Sequence, residues 1–170
     1  MILMTQRFEN IIGALAFRIA DEVNAVTSDQ LELSGPVAAA IALIDHKPGI
    51  TIDELRHGLS LSHAGTVRAV DRLASADYVE RTQASHDKRA VALQLTEKGV
   101  AASQRIFETR QNVISHVLSV LTPDEKSTFE ALTEKLLKAS IHDVPHAFSV
   151  CRLCHASSCL NCPVTAALSD

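Results

Sequence analysis

The sequence predicts a mainly α-helical fold that carries one two-stranded β-hairpin. Three observations predict it. Apolar residues recur at helical spacing through the first and last thirds of the chain. Two capping boxes, Thr51 to Glu54 and Thr122 to Glu125, mark helix starts between them. Between Tyr78 and Leu95 alone the period shortens to that of strands.

The elements follow in order. Phe8, Ile11, Ile12, Leu15, Ile19 and Val23 form one stripe of a long first helix, which the polar stretch Thr27 to Gln30 is expected to break. A second helix is expected from Ser34, as N-cap, with Pro36 in its first turn, to about Asp45. Its body is apolar nearly all round and should be buried. Lys47-Pro48-Gly49 should end it. The Thr51 capping box opens a short helix to Leu59, and Ser60-Leu61-Ser62 makes a turn. A fourth helix is expected from about Ser62 to Ala76, with Val67, Val70 and Leu73 inward and Ser62, His63, Thr66 and Arg68 outward.

Strands are expected at 78–81 and 90–95, joined by a polar hairpin, Thr82 to Arg89. Thr96 caps a long helix with the stripe Ile106, Val113, Ile114, Val117, Leu118 and Leu121. The Thr122 box, with Pro123 at the first helical position, opens a last helix through Phe129, Leu132, Leu136 and Leu137, fading near Ser140. The tail, 141–170, holds two prolines and all four cysteines.

Composition narrows the function. The 170 residues are 46% apolar and 21% charged, as in a globular chain rather than a disordered one. Aromatic residues are only 4%, which disfavours single-strand binders built on stacking platforms. The net charge is −4, so any nucleic-acid contact must come from a local basic patch. No apolar run is long enough for a membrane span, and none at the N-terminus suits a signal peptide. A cytoplasmic protein is expected. No Ser/His/Asp or paired-carboxylate arrangement is evident, so an enzyme is not expected.

Two short helices, a turn and a two-stranded hairpin are the order of a winged helix-turn-helix. There the second helix enters the DNA major groove and the hairpin reaches the neighbouring backbone or minor groove. Arg68 and Arg72 lie on the presumed reading helix, Lys88 and Arg89 at the hairpin tip, and Arg81 at its base. Acids are interleaved at Asp71, Asp77, Glu80 and Asp87, so charge alone does not separate this reading from a helical domain with an exposed hairpin.

The stretch Leu61 to Gly99 resembles the MarR family of bacterial transcriptional regulators. The shared pattern is Val70-Asp71-Arg72-Leu73, Val79-Glu80-Arg81, Asp87-Lys88-Arg89 and Leu95-Thr96-Glu97-Lys98-Gly99. With its flanking helices the likeness covers about residues 5 to 140. It implies a winged-helix domain over 1–140, with dimerisation helices at 5–30 and 97–140 and a DNA-binding region at 34–96. It implies an obligate homodimer reading a pseudo-palindromic operator in double-stranded DNA, one half-site per reading helix.

The resemblance also assigns residues. Arg89 sits where the family's wing arginine touches DNA, and Asp87 would orient it through a charge-assisted bond; the plainer reading is a surface ion pair. Ser62, His63, Thr66 and Arg68 lie on the reading helix, where some should touch bases or phosphates. His63 has a solvated surface role as its alternative. Arg72 either reads DNA or, beside Asp71, braces the helix against the wing. The family often holds a small-molecule effector between dimer region and winged domain. Arg18, His46 and His116 are candidates to line such a crevice, or are ordinary surface groups, and no ligand residue is assigned.

The tail reads Cys151-x2-Cys154-x4-Cys159-x2-Cys162-Pro163 and lies outside that family pattern. Two C-x-x-C pairs in a reducing compartment suit a metal. Four thiolates can close a tetrahedral zinc site or hold an iron–sulfur cluster. The four-residue spacer is short for two zinc knuckles, and Pro after the last cysteine is similar to bacterial ferredoxin runs without matching them. Metal-free thiols that form disulfides are the third possibility. His155 is a spare ligand. The tail is thus either a structural staple or a redox or metal sensor acting on the regulator. The rival function is a metal-carrier or electron-transfer protein on a winged scaffold.

Overall fold

A computed structural model describes residues 2–31, 36–83, 91–155 and 158–168. The elements run α1 (Ile2–Leu31), α2 (Val37–His46), β1 (Ile50–Thr51), α3 (Ile52–Leu59), α4 (His63–Ser75), β2 (Val79–Gln83), β3 (Val91–Leu95), α5 (Glu97–Leu118), α6 (Pro123–Ser140), α7 (Val144–Val150) and α8 (Pro163–Ala166). The mainly helical winged-helix class expected from the sequence is the one observed.

Helix α2 is the centre of the core. Every residue from Val37 to Ile44 is buried, because the segment is apolar on all sides and its neighbours cover all of them. Leu55 and Leu59 of α3, Val70 and Leu73 of α4, Leu93 of β3 and Ile106 of α5 close around it. The Ser34 cap expected for this helix lies outside the described residues. At its other end the chain turns at Gly49, whose φ of +86° suits a residue without Cβ.

The capping box of α3 forms as expected. The Thr51 hydroxyl accepts from the Glu54 N–H at 3.3 Å, and the Glu54 carboxylate accepts from the Thr51 N–H at 2.9 Å. Thr51 also ends a strand that the sequence does not announce. β1 pairs antiparallel with β3, Ile50 opposite Leu93, so the wing is a three-stranded sheet ordered β1-β3-β2. β2 pairs with β3 from Val79↔Leu95 to Gln83↔Val91.

The expected break in α1 does not occur. Thr27 is buried and its hydroxyl donates to the Val23 carbonyl at 2.7 Å, so the polar side chain is satisfied within the helix. The helix runs on to Leu31. The tail also holds more order than its composition suggests. Asp143 caps α7 by accepting from the His146 N–H at 2.8 Å. Ala147 is buried as α7 packs on α3, while α8 packs on α6. No helix among the described residues is long and apolar enough to cross a membrane.

Candidate nucleic-acid interface and cysteine cavity

Helix α4 follows the α3 turn, as a reading helix should. Ser62 caps it, its hydroxyl accepting from the Gly65 N–H at 3.1 Å. Ser62, His63, Arg68 and Arg72 are exposed. Arg68 and Arg72 stand four residues apart, and so share one outer face of the helix. Small residues, Ala64 and Gly65, leave its first turn open to close approach.

Thr66 departs from expectation. It is buried, in helical register with Ala69, Val70 and Leu73, and its hydroxyl donates to the Ser62 carbonyl at 3.1 Å. It braces the cap from inside and presents nothing outward. Its spacing of four and seven residues before Val70 and Leu73 was the available signal. Val67, expected inward, is only half-buried, and Ala69 takes the inner position.

The wing is tied to α4. The Arg81 guanidinium of β2 donates to the Asp71 carboxylate at 2.5 Å. The brace that the sequence left open for Arg72 is therefore made by Arg81, and Arg72 stays exposed. A second joint forms where the sheet meets α5. Thr96 donates to the Asp77 carbonyl at 2.6 Å and accepts from the Gly99 N–H at 3.1 Å. A Cβ on Gly99 would lie 2.0 Å from the Tyr78 carbonyl oxygen, so the T-x-x-G pattern requires its glycine for this approach. Lys98 donates to the Ala76 carbonyl at 2.7 Å and lies 4.4 Å from the Tyr78 ring centre. Asp87, Lys88 and Arg89, expected at the wing tip, lie outside the described residues.

The terminal helices α1 and α6 leave apolar surface uncovered. Phe8, Ile11, Ile12 and Phe17 of α1 are exposed, Phe17 to 73%. So are Phe129, Leu132 and Leu136 of α6, the last to 68%. Of the effector-crevice candidates, Arg18 pairs with Glu22 on α1, His116 is exposed near the end of α5, and His46 lines the cavity described next.

All four cysteines line one cavity of about 420 Å³, together with Leu43 and His46 of α2, Phe148 of α7 and Val164 of α8. No disulfide joins them. The hydrogen bond from the Cys151 thiol, against the opposing effect of burial, lowers Cys154 to about 6, with the Arg110 charge helping. The same contact with Cys154, and burial, push Cys151 up. Burial pushes Cys159 up. For Cys162 burial acts upward too, but the Thr165 and Val164 N–H groups outweigh it and lower the thiol. Within each C-x-x-C pair one thiol is thus shifted down and its partner up. No group of three or more His, Cys, Asp or Glu among the described residues is close enough to hold a metal ion. His155, the expected spare ligand, instead bonds Ser158 through Nδ1 at 2.7 Å and packs 4.7 Å from the Phe107 ring. Arg110 carried no local signal in the sequence, because it reaches Cys154 from α5.

The capped reading helix, the braced sheet and the T-x-x-G joint define a winged helix-turn-helix protein. Known proteins narrow the class. Residues 31–90 match the MarR family model. The uncharacterised HTH-type transcriptional regulator YwhA of Bacillus subtilis is 34% identical over 86 residues, which is 51% of this chain and 62% of that protein. The transcriptional repressor MprA of Escherichia coli is 33% identical over 84 residues, 49% of this chain and 48% of that one. The chain thus spans only about half to three-fifths of the length of these relatives. The crystal structure of apo wild-type MarR from E. coli superposes with a TM-score of 0.66 at 27% identity, covering 76% of this chain and 95% of that one. The chain is thus similar, over its central winged-helix region in sequence and over most of its length in fold, to helix-turn-helix regulators of the MarR family.

Proposed function

We propose that this chain is a cytoplasmic transcriptional regulator that binds a pseudo-palindromic operator in double-stranded DNA as a homodimer. Helix α4 enters the major groove of each half-site, and Arg68 and Arg72 meet bases or phosphates there. The observation that carries this reading is their shared outward face on a capped helix, held to the sheet by Asp71 and Arg81. Ser62 and His63 sit at the helix end nearest the phosphates. Lys88 and Arg89 would extend the contact through the wing, with Asp87 orienting Arg89. The exposed apolar residues of α1 and α6 support the dimer, because a second copy would cover them.

The cysteine tail is the regulatory end of the molecule, taking a metal or changing thiol state. A small-molecule effector would act at the same junction. The rival reading, a metal carrier or electron-transfer protein, draws on the cysteine cavity and leaves the outward arginines of α4 without a role.

Selection of bound fragments from random duplex DNA by the full chain tests the function. The expected result is one enriched motif with two inverted halves, their centres roughly 10 base pairs or a multiple apart. Binding that shows no sequence preference and vanishes with moderate salt would contradict it.

A further inference from the structure

The four thiols meet in pairs. Cys151 is in hydrogen-bond contact with Cys154 and with Cys162, and Cys159 is in contact with Cys162. The contacts run from Cys154 to Cys151 to Cys162 to Cys159, as a chain and not around one point. Among the described residues no three of them converge as a metal requires. The arrangement suits chemistry that uses two sulfurs at a time.

The backbone favours the first pair. The Cys154 N–H donates to the Cys151 carbonyl at 2.9 Å, which closes a turn over the C-x-x-C segment. Such a turn holds its end Cα atoms within about 7 Å, and a disulfide spans about 4.4–6.8 Å between Cα atoms. Between Cys159 and Cys162 the chain turns at Asn161, whose φ is +55°. All four thiols are free, so both pairs stand in the dithiol state.

Two features single out Cys154 as the sulfur that reacts first. Arg110 of α5 places a positive charge beside it, which favours the nucleophilic thiolate. Cys154 also lines a second cavity, of about 280 Å³, with Arg110, Ile19 and Val23. It is half-buried, and the walls around it admit a small oxidant and keep out a protein disulfide. A hydroperoxide is an oxidant of that size.

We propose that the four cysteines form a thiol relay: a hydroperoxide oxidises Cys154, Cys151 closes the first disulfide, and the Cys151–Cys162 contact passes it to Cys162 and Cys159. The Cys154 thiolate attacks the terminal peroxide oxygen; an S–O bond forms, the O–O bond breaks, and the alkoxide or hydroxide takes a proton from solvent. The Cys151 sulfur then attacks the sulfenic acid, and the hydroxyl leaves as water with the Cys151 proton. Cys162 attacks the Cys151 sulfur and frees Cys154; Cys159 attacks Cys162 and frees Cys151, each thiol proton passing to the sulfur released. A second hydroperoxide reoxidises the first pair. This chemistry rests on the thiol-state reading of the tail and on nothing in the DNA-binding reading, so operator selection decides the one and thiol counting the other.

The test uses the full chain, purified reduced and without oxygen, then treated with hydrogen peroxide while thiols and disulfides are mapped by alkylation and peptide mass. Wild-type protein should start with four titratable thiols, consume two equivalents of peroxide, and form Cys151–Cys154 before Cys159–Cys162. Cys162→Ser should stop at the Cys151–Cys154 disulfide. Cys154→Ser, with unchanged helical circular dichroism, should slow the loss of the Cys159 and Cys162 thiols by about tenfold or more. Arg110→Gln, which removes no sulfur, should slow the first disulfide severalfold. Oxidation of Cys159 and Cys162 at the wild-type rate in Cys154→Ser overturns the relay. An unchanged rate in Arg110→Gln overturns Cys154 as the first sulfur. Stoichiometric zinc or iron that blocks the thiols of the reduced protein overturns the whole proposal.

Discussion

Helix α2 buries all of Val37 to Ile44 in 10 residues, whereas α6 has 18 residues and buries none. Both are well-formed helices, but for different reasons. Helix α2 exists because the core surrounds it. Helix α6 is held by local chemistry: the Thr122–Glu125 capping box, with a 2.9 Å bond from the Thr122 N–H to Glu125, and Pro123 in its first turn. Its Leu132 and Leu136 are left outward in the single chain. The contrast separates a region complete within one chain from a region whose apolar residues are exposed in it. Helix α1 belongs partly to each, since Val23 is buried and Phe8 and Phe17 are not.

Mutations on the two sides sharpen this contrast. Ile41→Ala should have the largest effect, about 2–5 kcal/mol of folding stability lost with the cavity it leaves, measured by denaturant melting. A loss well under 1 kcal/mol would mean that α2 is not the core helix. Leu136→Asp should leave the winged region folded but weaken self-association by about 2–4 kcal/mol, because a dimer would bury the new charge unpaired. A Leu136→Asp chain that remains dimeric at micromolar concentration would erase the contrast. Arg68→Ala should leave both stability and dimer unchanged and cost about 1–3 kcal/mol in operator binding, read by fluorescence anisotropy at physiological salt. Full affinity would remove α4's outward face from the interface.

Much of this molecule is readable from local chemistry in the sequence. The capping boxes at Thr51 and Thr122 and the cap at Thr96 depend on side chains reaching backbone a few residues away, the turn at Gly49 on the absence of a Cβ, and all form. What escapes local reading depends on tertiary contact. Thr27 reads as a break until its hydroxyl finds the Val23 carbonyl. Thr66 reads as a polar surface residue until the helix faces are set by Val70 and Leu73. β1 is two residues long and exists only because Leu93 lies opposite Ile50. The cysteine spacing singles out four thiols, but their cavity is made by α2, α7 and α8 together, and no spacing shows that.

On the proposed reading, a single chain carries one reading helix and half of a dimer interface. The mass of the protein–DNA complex tests this claim most directly. Sedimentation equilibrium of wild-type protein with a duplex holding one selected operator should give two chains bound to one duplex, and a dimer for the free protein at micromolar concentration. A monomeric free chain that binds one half-site at a time, with no second chain recruited, would contradict the account.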